Sequence, residues 1–177
     1  AMDIAQVASV IAKQIGYGQT DEAYTLGLFH NCGIPLLMMK FKNYPEVMLE
    51  AYAQPDQSIT DNENATINTN HAVVGYFVAK SWNLPTYLCE AIHQHHNAES
   101  VMSEKDPDTR KKTLIAILKM AEHICGNSKI IGNQQEDHEW TRIEEHILMY
   151  VGLSQYDFSG IRQQIYDMGI STGSYNF

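Results

Sequence analysis

The chain has 177 residues, of which 44% are hydrophobic and 19% charged, and its formal net charge at pH 7 is −9. This length suits one or at most two domains and is sufficient to bury a core. The longest unbroken apolar runs, Leu114–Leu118 and Ile147–Val151, are much shorter than the ~20 residues that a membrane-spanning helix needs. The acidic balance, with a single short basic cluster at 110–112, argues against nucleic acid as a partner.

The three cysteines, Cys32, Cys89 and Cys125, are odd in number and widely spaced. They therefore match neither a disulfide framework nor a CxxC site. Each lies among apolar residues, which favours small buried thiols of the kind found in a reducing compartment. We expect a cytoplasmic protein that does not span a membrane.

The hydrophobic periodicity is helical nearly throughout the chain. Apolar residues recur at three- and four-residue spacing from Ile4 to Ile15, and a second helix begins at Thr20. Further helices are predicted over about 35–42, 45–53, 63–82, 85–97 and 112–125, and in two C-terminal segments around 140–151 and 158–168. The helix over 63–82 should bury Trp82. The polar stretch 54–64 is predicted as a loop or helix entrance, and the charged stretch 98–109 as a solvated loop. The sequence therefore predicts an all-α fold, with one compact multi-helix domain over 1–177.

Four of the eight histidines lie at positions that the helical periodicity places on buried faces. These are His30, His71, His95 and His96. Glu122 lies on such a face too, and a buried carboxylate is costly unless it is paired or bound to a metal. A single inward histidine is more often a hydrogen-bonded core residue than a ligand, but several together with a carboxylate favour a shared site. Imidazole and carboxylate ligands suit zinc, iron, manganese or nickel.

Three segments resemble the HD superfamily of helical phosphohydrolases. They are LGLFHNCG (26–33), NHAVVGYFVAKSWNLPTYLCEAIHQHHN (70–97) and LKMAEHICG (118–126). The closer similarity is to the HDOD branch, the HD-related output domains of bacterial signalling proteins, and it extends over essentially the whole chain. The resemblance implies an HD-type fold and a role in signal transduction. It also implies that an upstream helical part of the domain is missing, in agreement with a helical pattern that already runs at Ile4.

The resemblance also implies a set of metal-binding positions. In metal-binding members a His-Asp doublet holds two metals through its shared Asp, and the corresponding residues here are His30 and Asn31. The family's next ligand histidine falls on His71, its adjacent pair on His95 and His96, and its closing Asp on Glu122. An uncharged amide thus replaces the bridging carboxylate. We expect either a vestigial site or a site for a single divalent metal at these six positions.

Other features of the family's motifs are absent. The histidine that opens the motif would fall at or before Ala1, and the Lys that often follows the doublet's glycine is replaced by Ile34. The glycine-tyrosine-proline signature of cyclic-dinucleotide phosphodiesterases is missing after His96. HNCGI and HQHHN contain no Arg or Lys, so we expect the site to lack a clamp for a substrate phosphate.

These departures leave three hypotheses. Phosphoester hydrolysis in this superfamily needs metal to activate water and to hold the phosphoryl oxygens, and mostly neutral ligands suit one divalent ion better than two. The main hypothesis is a non-catalytic output or adaptor module that contacts signalling proteins, other domains of the parent chain or a nucleotide-like ligand, with self-association left open. The second is a metal-dependent phosphohydrolase acting on a nucleotide, cyclic dinucleotide or other phosphoester. The third is that the histidines only stabilise the core through hydrogen bonds.

Overall fold

The described part of the chain, residues 1–105 and 108–170 of a computed structural model, is helical and contains no β-strand. Its α-helices are α1 (Met2–Gln14), α2 (Thr20–Phe29), α3 (Gly33–Lys40), α4 (Tyr44–Tyr52), α5 (Ile59–Ile67), α6 (His71–Ser81), α7 (Thr86–Gln94), α8 (Ala98–Ser103), α9 (Arg110–Cys125), α10 (Asn127–Gly132), α11 (His138–Val151) and α12 (Gln155–Asp167), and a 3₁₀ helix (His95–Asn97) follows α7. The predicted all-α fold is confirmed. None of these helices is both long and apolar enough to cross a membrane.

Two clusters of buried apolar side chains form the core. The larger surrounds α9, whose residues Leu114–Leu118 are all fully buried, and α9 packs against α1, α2 and α7. The smaller cluster includes Tyr44 and Met48 of α4 together with Leu37 of α3 and Ile59 of α5. Burial of large apolar side chains is the main source of stability for such helices. The two clusters therefore fix the helices on which the inward histidines lie.

The predicted long helix over 63–82 is wrong, because the chain breaks between α5 and α6. Asn68 ends α5 in the left-handed region with φ 55°, and the side chain of Asn70 caps α6 by accepting a hydrogen bond from the N–H of Val73 at 2.8 Å. Asparagine suits both positions. The expected burial of Trp82 is also wrong, since this side chain is 67% exposed. The break allows α5 to turn back and present a side chain to His71.

Two short helices lie where the sequence predicted none. The stretch after 98 contains α8, because Ala98 and Val101 are buried against neighbouring helices despite the charged composition around them. Gly126, with φ 67°, ends α9 and lets the chain turn directly into α10. Asn127 at the start of α10 is thereby placed next to α9, where it contributes to the site described below.

Helix α3 begins directly against the backbone of α6. A Cβ on Gly33 would lie 2.2 Å from the carbonyl oxygen of His71, which cannot move without moving α6. We therefore expect Gly33→Ala to lower the free energy of unfolding by about 1–3 kcal/mol, the range of overpacked sites, as measured by urea unfolding.

Gly160→Ala in α12 is the matched control, because a Cβ there would meet nothing within 4 Å. Alanine is the better helix former, so this variant should be more stable by roughly 0.5–1 kcal/mol. If Gly33→Ala were as stable as Gly160→Ala, the close approach of α3 to α6 would be contradicted.

Candidate metal centre

The inward histidines lie at the ends of three helices and converge. His30 directly follows α2, His71 is the first residue of α6, and His95 and His96 lie in the 3₁₀ helix after α7. All four are buried. The ring centroids are 5.5 Å apart for His30 and His95, 5.3 Å for His71 and His95, 4.9 Å for His71 and His96, and 4.0 Å for His95 and His96. Residues from distant parts of the sequence therefore share one enclosed polar site.

Three of these histidines form the tightest group. His71, His95 and His96 each offer a ring nitrogen within 4.8 Å of the other two, and Nε2 of His71 lies 3.0 Å from Nε2 of His96. His30 is turned toward the carboxylate of Glu122, with Nε2 3.4 Å from Oε1. We call His71, His95 and His96 the histidine triad.

The hydrogen bonds of the four rings set their tautomers. In every ring Nδ1 lies against an oxygen that can only accept. The acceptors are the carbonyl oxygens of Gly27 for His30 (2.8 Å) and Ile92 for His95 (2.6 Å), and the carboxylates of Glu63 for His71 (2.7 Å) and Glu139 for His96 (2.9 Å). Nδ1 therefore carries a hydrogen in each ring, and His71, His95 and His96, when neutral, present their lone pairs at Nε2. This is the way in which outer carboxylates and carbonyls usually orient metal-binding histidines.

The nitrogen atoms that face inward fit a metal ion. Nε2 of His95 is buried and has no hydrogen-bond partner among the described residues. The lone pairs of His71 and His96 face each other at 3.0 Å, an arrangement that calls for a proton or a cation between them. Metal–imidazole bonds of about 2.1 Å place neighbouring nitrogens about 3.0–3.4 Å apart. Burial, with His96 and Lys119 nearby, also lowers the pKa of His95 well below its ordinary value, which favours the neutral ring that binds metal.

Glu63 is one of the residues of the site that the sequence analysis missed. It is fully buried in α5 and accepts hydrogen bonds from the Tyr44 hydroxyl at 2.6 Å, the backbone N–H of His71 at 3.0 Å and Nδ1 of the same histidine at 2.7 Å. The sequence analysis placed it at the start of the predicted helix over 63–82, in a polar stretch interpreted as a loop or helix entrance. One continuous helix over 63–82 would leave Glu63 two turns away from His71, and the two side chains meet only because the chain turns at Asn68 between them.

The site contains a basic residue, Lys119, although HNCGI and HQHHN contain none. Its ammonium is enclosed, with the side chain 3% exposed, and lies 2.8 Å from Oε2 of Glu122 and 3.0 Å from Oε2 of Glu139. It also lies 3.5 Å from Nδ1 of His96. The signal was present in LKMAEHICG, where Lys119 precedes Glu122 by one helical turn. Two carboxylates hold this amine, so it is not free to bind a phosphate.

The charges of this pair are maintained despite burial. Burial by itself would raise the pKa of Glu122, but Lys119 and the neighbouring His30 hold that pKa well below its ordinary value. Burial would lower the pKa of Lys119, but Glu122 and Glu139 outweigh it and raise the pKa above its ordinary value. Glu122 and Lys119 are therefore an ion pair throughout the neutral pH range.

Asn31 lies in the turn between α2 and α3. Both polar atoms of its side-chain amide are buried and have no hydrogen-bond partner among the described residues. Together with His30 and the apolar side chains of Ile34 and Ile131 it lines a cleft of about 260 Å³. An amide at this position cannot supply the negative charge that a bridging carboxylate would give to two metals.

The fold and the histidine cluster define a helical domain of the HD type. The family model of the HDOD domain matches residues 1–98, and the chain therefore belongs to the HDOD family. The resemblance inferred from the sequence is confirmed. The matched segment includes all four inward histidines and ends before Lys119 and Glu122.

Two solved structures share the fold. A putative phosphohydrolase from Shewanella amazonensis SB2B is 22% identical, with a TM-score of 0.62 over 97% of this chain and 60% of that chain. An HDOD domain protein with unknown function from Geobacter sulfurreducens is 21% identical, with a TM-score of 0.65 over 98% of this chain and 58% of that chain. An uncharacterized protein of Treponema pallidum (strain Nichols) is 30% identical over 89 residues, which are 49% of this chain and 17% of that protein. The chain thus spans about three fifths of the solved relatives.

Proposed function

We propose that this chain is a non-hydrolytic HDOD module that holds one divalent transition metal at the histidine triad. The main support is the complete enclosure of the triad, since its three rings are buried. Three imidazoles leave the fourth position of a tetrahedral ion open, and the burial of the rings that surround it favours an ion that is held over one that a substrate reaches. His71, His95 and His96 would hold the ion, and Glu63 and Glu139 would fix two of the rings.

The formal charges around the triad favour one divalent ion. The histidines contact three carboxylates, those of Glu63, Glu122 and Glu139, and one ammonium, that of Lys119. Two negative charges therefore remain uncompensated when the rings are neutral, and uncompensated buried charge is costly. Iron, manganese, nickel and zinc all accept imidazole ligands.

An adaptor role follows from the same features and from the resemblance to output domains. A hydrolase must hold the phosphoryl oxygens of its substrate, and Lys119 is already bound by two carboxylates. The module would instead act by contacting signalling proteins or other domains of the parent chain. The same role has two further forms. In one the module binds a nucleotide-like ligand without hydrolysing it, and in the other it self-associates.

One observation favours the alternative of a metal-dependent phosphohydrolase. The cleft beside His30 and Asn31 is large enough for a small substrate. A bound metal would supply an acidified water and polarise a phosphoryl oxygen. In that case the reaction would take place on the side of the site that His30 faces.

Hydrolysis assays distinguish the non-hydrolytic module from the phosphohydrolase. The substrates are phosphomonoesters, nucleotides and cyclic dinucleotides, each with added manganese, iron or nickel. We expect no turnover above that of His71→Ala. His93→Ala, which replaces an exposed histidine of α7, controls for loss of a histidine outside the site. Turnover that His71→Ala abolishes and His93→Ala retains would contradict the non-hydrolytic function.

A further inference from the structure

The ammonium of Lys119 lies between two largely enclosed carboxylates, those of Glu122 and Glu139. We infer that Nζ of Lys119 occupies a cation position formed by Glu122 and Glu139, so that the chain itself supplies the charge of a second metal and takes one divalent ion instead of two. The number of ions at the triad follows from the proposed function, whereas the position held by Lys119 does not depend on it.

The geometry around Nζ is that of an enclosed cation between two carboxylates. Oε2 of Glu122 and Oε2 of Glu139 lie 2.8 and 3.0 Å away, and they come from different helices, α9 and α11. A small polar cavity next to the ammonium is also lined by Tyr52 and Asp137. Carboxylates brought together in this way repel each other strongly unless a cation lies between them.

The remaining oxygen atoms of these carboxylates are bound by other groups of the chain. Oε1 of Glu122 accepts a hydrogen bond from Nδ2 of Asn127 at 3.0 Å. Both oxygens of Glu139 lie near Nδ1 of His96, at 2.9 and 3.1 Å. Lys119 is therefore a positioning residue for the triad, because it fixes Glu139, which in turn fixes the tautomer of His96.

The charge balance explains why a second ion is excluded. With Lys119 present, one divalent ion neutralises the three carboxylates of the site. A second divalent ion would leave two positive charges in an enclosed region, next to the ammonium, and such a charge is strongly unfavourable away from water. Without Lys119, Glu122 and Glu139 would be unpaired acidic ligands with room between them.

Manganese uptake by four proteins tests this inference, because manganese accepts both imidazole and carboxylate ligands. The proteins are wild type, His71→Ala, Lys119→Ala and the double variant, compared by equilibrium dialysis and metal analysis. We expect one ion per chain in wild type and none in His71→Ala. Lys119→Ala should take up two, and the double variant, which carries both changes, should take up one. Adding Glu122→Gln to Lys119→Ala should remove the second ion, and Lys111→Ala, which removes a lysine outside the site, should match wild type.

The outcomes distinguish this inference from the proposed function. If wild type takes up no ion but Lys119→Ala takes up one, the proposed function fails and the inference stands. If Lys119→Ala takes up no more ions than wild type, the inference is overturned. If Lys119→Ala does not fold, wild type is titrated with manganese to millimolar concentration instead. Saturation at one ion per chain supports the inference, and binding of a second ion overturns it.

Discussion

Lys119→Met should lower the free energy of unfolding by about 3–5 kcal/mol at pH 7, the range measured when one partner of a buried ion pair is removed. Methionine retains most of the apolar stem but leaves Glu122 and Glu139 without their shared cation. Both carboxylates are largely enclosed and 2.8 and 3.0 Å from the ammonium that is lost. Urea unfolding of the metal-free proteins measures the difference.

The effect of Lys119→Met should depend on pH. The pKa of Glu122 is lowered from an ordinary value of 4.5, so its contribution is present above about 4.5 and is lost as pH falls through the folded-state pKa. The pKa of Lys119 is raised from 10.5, so its contribution is present below 10.5 and is lost as pH rises through the folded-state pKa. The difference between the two proteins should therefore be largest between about pH 5 and pH 10 and shrink outside that window.

Lys111→Met provides the matched control. Lys111 pairs with Glu104 at 3.1 Å in a partly exposed position, where such pairs contribute about 0–1 kcal/mol. If the unfolding free energies of Lys119→Met and Lys111→Met were equal at pH 7, the ion pair at the site would not be formed in solution.

Glu63→Gln should weaken metal binding by about 10- to 100-fold, the usual effect of changing a group that orients a metal-binding histidine. The two oxygens of Glu63 have different partners: one accepts from Tyr44 and from the backbone N–H of His71, and the other from Nδ1 of His71. Glutamine can keep the first oxygen, but its NH₂ group must then face Nδ1. That ring nitrogen would become an acceptor, the hydrogen would move to Nε2, and the lone pair that faces His96 would be lost.

Isothermal titration with manganese measures this change, and Glu50→Gln, at an exposed position of α4, is the control. The control should bind as wild type does. An affinity of Glu63→Gln within a factor of about two of the control would show that Glu63 does not set the tautomer of His71.

The sequence predicted much of the fold and the convergence of the histidines. Helical periodicity identified His30, His71, His95 and His96 as inward, because each lies at regular spacing from apolar residues of its own helix. These side chains meet because the helices that bear them pack on α9 or next to it. The family resemblance then placed Glu122 beside them, and the structure brings it to 3.4 Å from His30.

The remaining parts of the site arise from tertiary structure that periodicity does not report. Glu63 reaches His71 only because Asn68 and Asn70 end one helix and begin the next, whereas the apolar spacing continues across the break. Lys119 is hard to recognise because lysine is rarely buried unless it is paired, and Glu139, one of its partners, is 20 residues away on α11. Distant charged residues of this kind become visible only once the helices are packed.

The most direct test of the central claim is a manganese titration of wild type, His71→Ala and His93→Ala, with the bound metal counted in each protein. We expect one ion per chain in wild type and in His93→Ala, and none in His71→Ala. No uptake by folded wild-type protein, or uptake that His71→Ala leaves unchanged, would contradict a metal centre at the histidine triad.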